Sequence, residues 1–236
     1  MKKNILILGG SSEIAQHTIV EFLNNNWQVY AHFNKNSKFL ESLKKRHKLL
    51  NLIKCNFEKK KDVNKFIQTI SKKQISSVVN LVGYIDNISF KNTRVETLTK
   101  SLQINTIIPL VIQKNLIPFM IKSSFGRILN ISSIGVKYGG GEFTYNYSFA
   151  KHALEYRPSY LRNLASKNVF NNILRIGFVN TKLQKKIKNK NFKNRISMIP
   201  IKRSAKKEEV SKLIYYLASE KNTYLTNEKI TIAGGE

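Results

Sequence analysis

Residues 126–154, GRILNISSIGVKYGGGEFTYNYSFAKHAL, divide into three parts of different physical character. Arg127 to Ile131 is a short apolar run of the kind that forms a buried strand, and it breaks at Ser132 and Ser133 into a glycine-bearing loop. The remainder predicts a helix. On that helix Tyr147 and Lys151 stand four residues apart, so both side chains leave one face and an ammonium can lie beneath a phenol. A phenol with its ordinary pKa of about 10 is a poor acid–base group near neutrality, and a fixed positive charge beside it stabilises the phenolate and lowers that value. Ser133, delivered from the strand end, can hold a carbonyl or hydroxyl oxygen next to the tyrosine. The arrangement suits moving a proton on and off oxygen.

The Tyr-x-x-x-Lys spacing alone is a weak signal, because 10 Tyr and 41 Lys plus Arg in 236 residues give roughly one or two such pairs by chance. The context carries more. A strand, Ser-Ser, a Gly-rich loop and then Tyr147-Ser148-x-x-Lys151 resemble the catalytic segment of the short-chain dehydrogenase/reductase family, in which serine, tyrosine and lysine serve hydride transfer to or from a nicotinamide cofactor. The resemblance implies an α/β fold: a Rossmann-type, doubly wound parallel sheet of about seven strands with helices on both faces and the active site at the strands' carboxyl ends.

The N-terminal stretch agrees. Asn4 to Leu8 is an apolar run ending in Gly9-Gly10-Ser11-Ser12-Glu13-Ile14-Ala15, followed by a helical pattern through Ile14, Thr18, Val20, Phe22 and Leu23. Strand, glycine turn and helix point backbone N–H groups at a pyrophosphate, although an ordinary β–α turn with Ser11 or Ser12 as N-cap reads the same way. By resemblance Gly9, Ser11, Ser12 and Ile14 are cofactor contacts. The family's usual three glycines are reduced here to Gly9, with Glu13 and Ala15 in the other two places. Glu13 must therefore point away, be neutralised or weaken binding.

Trp27 to Phe33 reads as a second strand, and no acid follows it until Glu41. An acid there would bond a ribose hydroxyl, whereas Asn34, Lys35 and Lys38 point to the 2′-phosphate of NADP, a solvated lysine being the alternative. Leu50 to Cys55 predicts a third strand, after which Asn56-Phe57 takes the place of the family's aspartate and is expected to hydrogen-bond and flank a purine. Ser77 to Val82 predicts a fourth, and Asn80-Leu81-Val82-Gly83 resembles the family's Asn-Asn-Ala-Gly, keeping Asn80 and Gly83. Asn105 falls where the family places an asparagine that organises a proton-relay water. Its apolar neighbours imply a partly buried amide in need of partners.

The helix carrying Tyr147 is expected to run towards Ser166, with an unexplained kink at Pro158. Asn171 to Ile176 is expected as the sixth strand, followed by Gly177 and by Thr181, whose hydroxyl would meet the nicotinamide amide. Lys182 to Arg203 resembles a substrate lid, and the tail resembles the family's last helix, strand and double glycine at Gly234-Gly235. Between Thr181 and Pro200 the lid carries seven cations and no acid. Lys185, Lys186 and Lys188 are expected to clamp an anionic handle, with a merely solvated charge run as the alternative.

A length of 236 residues suits a single domain, residues 1–236. The lone Cys55 excludes an internal disulfide framework and a cysteine-rich zinc site, so no metal is expected and the cytoplasm is the default compartment. The apolar run after Met1-Lys2-Lys3 ends at Gly9-Gly10, too soon for a secretory signal. Ile104 to Ile121 contains Pro109, Gln113, Lys114 and Pro118, which makes it a core helix rather than a membrane span. The formal charge of +27 and pI near 10.1 favour non-specific attraction to polyanions, but no nucleic-acid-binding motif accompanies them.

The sequence therefore reads as an NADP-dependent carbonyl reductase or alcohol dehydrogenase. By resemblance Tyr147 is the general acid in reduction, Ser133 orients the carbonyl, Lys151 bonds the nicotinamide ribose and depresses the tyrosine pKa, and Asn105 completes the relay. The closest look is that of the 3-oxoacyl carrier-protein reductases. Members acting on sugars or nucleotide-linked sugars are the alternative, and a polyanion-binding scaffold or NADP sensor is the reading from a different class. Analogy implies a homotetramer or homodimer.

Overall fold

The computed structural model describes residues 3–236. Strand β1 (Asn4–Leu8) buries Ile5 and Ile7 on one face and Leu6 and Leu8 on the other, so both faces of the sheet must be covered. The chain continues through α1 (Glu13–Asn24), β2 (Gln28–Phe33), α2 (Lys38–Arg46), β3 (Leu50–Lys54), α3 (Lys60–Ser71) and β4 (Ser77–Asn80). Helix α4 (Val95–Leu102) passes through a π-helical turn, Gln103–Ile107, into α5 (Ile108–Lys122). Then come β5 (Gly126–Ser133), α6 (Tyr145–Leu154), α7 (Ser159–Asn163), β6 (Val169–Ile176), α8 (Lys182–Lys185), α9 (Phe192–Ser197), α10 (Lys207–Ala218) and β7 (Lys229–Ile232).

All seven strands are parallel, in the order β3-β2-β1-β4-β5-β6-β7. One core packs Ile5 and Ile7 against Phe22, Trp27, Ile214 and Leu217 from the side of α1 and α10. The other packs Leu6 and Leu8 against Phe66, Ile70, Ile112 and Leu116 from the side of α3 and α5. Each large apolar side chain so buried contributes about 1.5–3 kcal/mol. Because the winding reverses between β1 and β4, the loops leaving their carboxyl ends diverge and open a crevice there.

The structure differs from expectation along the helix that carries Tyr147. It ends at Leu154 with Glu155 as its cap, and Pro158 stands at the N-cap of α7, where a missing N–H costs no helical bond. Pro109 lies in the first turn of α5, directly after the π-helical turn. Val95–Lys122 is the one helical stretch among the described residues long and apolar enough to cross a membrane. Its residues Ile112, Gln113, Leu116, Ile117 and Met120 are instead buried, and the Gln113 amide donates to Asn130 Oδ1 at 2.7 Å, so it covers the sheet.

Candidate active site

Ser133 is the last residue of β5, and its Oγ accepts the Gly135 N–H at 3.1 Å, which fixes the turn that follows. The same hydroxyl hydrogen-bonds the phenol of Tyr147. One turn further along α6, the buried Lys151 ammonium donates to the carbonyl oxygens of Val82 at 2.8 Å and Ile131 at 2.7 Å. Lys151 thus staples α6 to the carboxyl ends of β4 and β5, and the helix spacing and the strand register together bring Ser133, Tyr147 and Lys151 into one site.

The electrostatics depart from the sequence expectation. Burial pushes the phenol up to about 12, a shift the Ser133 hydrogen bond only partly opposes, and burial pulls Lys151 down to about 7. The ammonium lies 5.8 Å from the centre of the Tyr147 ring with two backbone carbonyls as its partners, and at the phenol burial outweighs the Ser133 hydrogen bond.

Two cavities meet at this site. A larger one of about 660 Å³ lies between the 134–144 loop and residues 178–200, and a smaller cleft of about 150 Å³ runs past Ser11, Ser12, Ile14, Gly83, Lys151 and Thr181. Ser133, Tyr147, Gly177 and Gln184 line both. Gly177 is required at that junction, since a Cβ there would come within 2.6 Å of the Ala233 backbone.

At the mouth of the smaller cleft, Gly9 turns with φ +80, and a Cβ would lie 2.8 Å from the Leu81 carbonyl oxygen. Ser12 caps α1 by accepting the Ala15 N–H, and the Ser11 hydroxyl donates to the Asn36 carbonyl, which draws the half-buried Asn34 and the exposed Lys35 and Lys38 beside the glycine loop. Glu13 is neutralised rather than turned away. Its Oε1 lies 2.7 Å from Lys207 Nζ and its Oε2 accepts the Lys182 N–H at 2.6 Å. Burial alone would raise this carboxyl, but those contacts outweigh it and hold it below the usual range.

Several expected contacts are placed differently. The Phe57 ring is buried and stacked flat on His32, with centroids 4.3 Å apart, and is edge-on to Phe66, so it cannot flank a purine. Asn56 Oδ1 accepts the Glu58 N–H at 3.0 Å, closing the turn after β3. Asn80 is buried, with Oδ1 accepting the Val82 N–H and Nδ2 donating to Asn130, so it shapes the strand end. Asn105, in the π-helical turn, accepts the Tyr84 N–H at 2.8 Å and donates to the carbonyls of Tyr84 and Ser101, both at 3.0 Å. Its side-chain amide holds the segment after Gly83. Lys185 and Lys186 line neither cavity, whereas Lys188 does, together with Lys190 and Arg195 from the same charge run.

Sequence reasoning missed two groups. His32 accepts the Gly9 N–H at Nδ1 (3.2 Å), and its Nε2 lies 3.1 Å from the Cys55 carbonyl oxygen, a pairing that only the neutral ring with its proton on Nε2 satisfies. Burial pulls it from 6.5 to about 4. A base lowered in this way contributes stability that is full above pH 6.5 and lost as the pH falls towards 4, at up to about 1.4 kcal/mol per pH unit. Urea unfolding across that range should show this limb, and His32→Asn should flatten it. The second missed group is Glu155, which closes a buried network under Ser132.

Residues 9–236 match the family described as enoyl-(acyl carrier protein) reductase. A 3-oxoacyl-[acyl-carrier-protein] reductase FabG of Buchnera aphidicola is 29% identical over 236 residues, covering 99% of this chain and 88% of that one. The FabG of Aquifex aeolicus is 27% identical over 234 residues, covering 98% and 86%. Among solved structures, ElxO with NADP bound is 27% identical, with a TM-score of 0.84 and coverage of 100% and 98%. An actinorhodin polyketide ketoreductase with NADPH, 18% identical with a TM-score of 0.86 over 99% of this chain and 97% of that one, shares the fold. A match over nearly the whole length, on a parallel sheet whose strand-end serine meets a helical tyrosine and lysine, places this chain in the short-chain dehydrogenase/reductase family of oxidoreductases.

Proposed function

We propose that this protein is an NADPH-dependent ketoreductase that converts a 3-oxoacyl group, carried on an acyl carrier protein as the names of its relatives suggest, to the secondary alcohol. The observation that carries the reading is the position of Tyr147 and Ser133 in the common wall of a cleft and a cavity, with Lys151 buried beneath. The cleft's residues fit a dinucleotide. The first turn of α1 with Ser11 and Ser12 supplies donors for a diphosphate, and Lys182 and Lys207 offset Glu13. Thr181 and Lys151 stand further in, for the nicotinamide and its ribose.

When bound, the nicotinamide supplies the hydride. Ser133 holds the carbonyl oxygen, and Tyr147 gives that oxygen its proton as negative charge develops there. A phenol that burial keeps protonated is the competent form for this direction. Lys151, fixed by two carbonyls and titrating near 7, balances the phenolate and returns a proton to it. The walls of the larger cavity, among them Phe143, Phe178, Ile187 and Met198, favour an acyl body over a sugar. A lysine buried without a carboxylate, its pKa pulled down to about 7 beside a strand-end serine and a tyrosine, favours a catalytic site over a polyanion-binding scaffold.

In this reading residues 182–203 are the lid, the compartment is the cytoplasm and the protein pairs with copies of itself. Val95, Ile107, Val111 and Phe149 remain exposed on α4 to α6 and support the pairing, which light scattering tests. Reduction of acetoacetyl thioesters, followed by NADPH absorbance, tests the activity, and silence with every ketone tried overturns it. NADPH should bind at least about tenfold more tightly than NADH, because a charge-assisted bond to phosphate from Lys35 or Lys38 is worth about 1.5–3 kcal/mol. The first acid after β2 in the sequence, Glu41, accepts from the Ser37 hydroxyl at 2.6 Å. Fluorescence titration with both cofactors checks this, and equal affinities would count against it.

A further inference from the structure

The larger cavity has charges of unequal standing. Arg195 is spent on Glu236, with contacts of 2.6 Å from each of two nitrogens. Lys190 is not spent in this way. Its ammonium donates to the neutral amide of Gln184, lies 5.2 Å from the centre of the Phe178 ring, and feels Glu236 only through space. Among the described residues it forms no ion pair within 4 Å. Burial, with Arg195 nearby, pulls it down to about 8, the mark of a charge short of a counter-ion. Gln184 lines both cavities, so this cation stands one amide away from the wall that holds Ser133 and Tyr147. Two other charges line the cavity: exposed Glu142, and Lys188, whose ammonium lies 5.9 Å from the Phe143 ring centre.

We propose that Lys190 is an anion-binding group of the substrate cavity, taking a carboxylate or phosphate of the substrate while the reacting carbonyl lies at Ser133 and Tyr147. This rests on the ketoreductase reading and adds to it the charge the substrate must carry. Exchanging Gln184 for an anionic oxygen replaces a neutral acceptor by a charged one and adds the attraction of opposite charges to a bond whose donor is already ionised. An apolar body against Phe143 and Phe178 and a single anionic contact at Lys190 then fix the direction in which the carbonyl is presented.

The test uses three acetoacetyl compounds with NADPH: free acetoacetate, the neutral N-acetylcysteamine thioester and the 4′-phosphopantetheine thioester. In Lys190→Gln the ratio of kcat/KM for an anionic compound to that for the neutral thioester should fall about tenfold or more, through KM, and Lys190→Arg should restore it to within about threefold. A fall confined to free acetoacetate assigns the site to a carboxylate, and one confined to the phosphopantetheine thioester assigns it to a phosphate. An unchanged ratio in Lys190→Gln overturns the proposal while leaving the ketoreductase standing, as does a parent enzyme that prefers the neutral thioester. A parent enzyme that reduces none of the three overturns both.

Discussion

Tyr147→Phe should bind NADPH as the parent does and reduce its substrate about a hundredfold more slowly or worse, the scale of a lost general acid. The substitution removes one oxygen from a half-buried ring and leaves the packing of α6 intact, so a fall in rate cannot be laid to unfolding. Among the described residues the hydrogen bond it removes is the one to Ser133, whose hydroxyl still accepts the Gly135 N–H. Lys151 also keeps its place, because Val82 and Ile131 hold it independently of the phenol. Single-turnover rates alongside cofactor titration separate the two effects. Turnover within about threefold of the parent would remove Tyr147 from the chemistry.

Glu155→Ala should lower stability by about 3 kcal/mol, the lower end for breaking a buried ion pair, because Arg175 is partly exposed. Glu155 Oε1 accepts from Ser132 Oγ at 2.7 Å and from Arg175 Nε at 2.8 Å, Oε2 lies 2.5 Å from Arg175 Nη2, and Lys229 stands 3.8 Å away. One carboxylate thus joins the end of α6 to β5, β6 and β7, directly under the residue that precedes Ser133. Burial alone would raise this carboxyl, but the hydrogen bonds from Arg175 and Ser132 outweigh it and hold it below its ordinary 4.5. The stability it contributes is therefore present above that pH and fades as acid protonates it. Urea unfolding measures the loss. A cost under about 1 kcal/mol would show the pair to be dispensable, whereas Glu155→Leu with Arg175→Met should recover much of the deficit.

The sheet was legible because β1, β4 and β5 are covered on both faces and so centre on consecutive rather than alternating apolar residues, such as Ile5 to Leu8, Val78-Val79 and Ile128-Leu129. Ser133, Tyr147 and Lys151 were legible because a strand end and one helical turn are local geometry. What could not be read depends on partners distant in sequence. Phe57 looks free beside Asn56 until the β2–β3 register lays His32 against it. Glu13 looks repulsive until Lys207 arrives. Within the charge run, composition does not say which lysines turn inward, and two short helices with a bend between them bring Lys190 to the cavity and leave Lys185 and Lys186 outside. The pattern after Leu154 stays compatible with one continuous helix, and only the tertiary structure ends α6 there and puts Pro158 at the start of α7.

The Glu13 junction also bears on how the protein comes into being. Its partners lie 169 and 194 positions further along the chain, and the Ser77 hydroxyl reaches the Ala218 carbonyl across 141. During synthesis β1 and the glycine loop emerge before Lys182 and Lys207, so the Glu13 carboxylate in the first turn of α1 lacks these partners until α10 has followed. Contacts of such separation form late, after the loop-closure entropy of everything between has been overcome. A nascent chain that has laid down β1 to β5 therefore carries a cofactor loop with an unbalanced negative charge where a diphosphate would go.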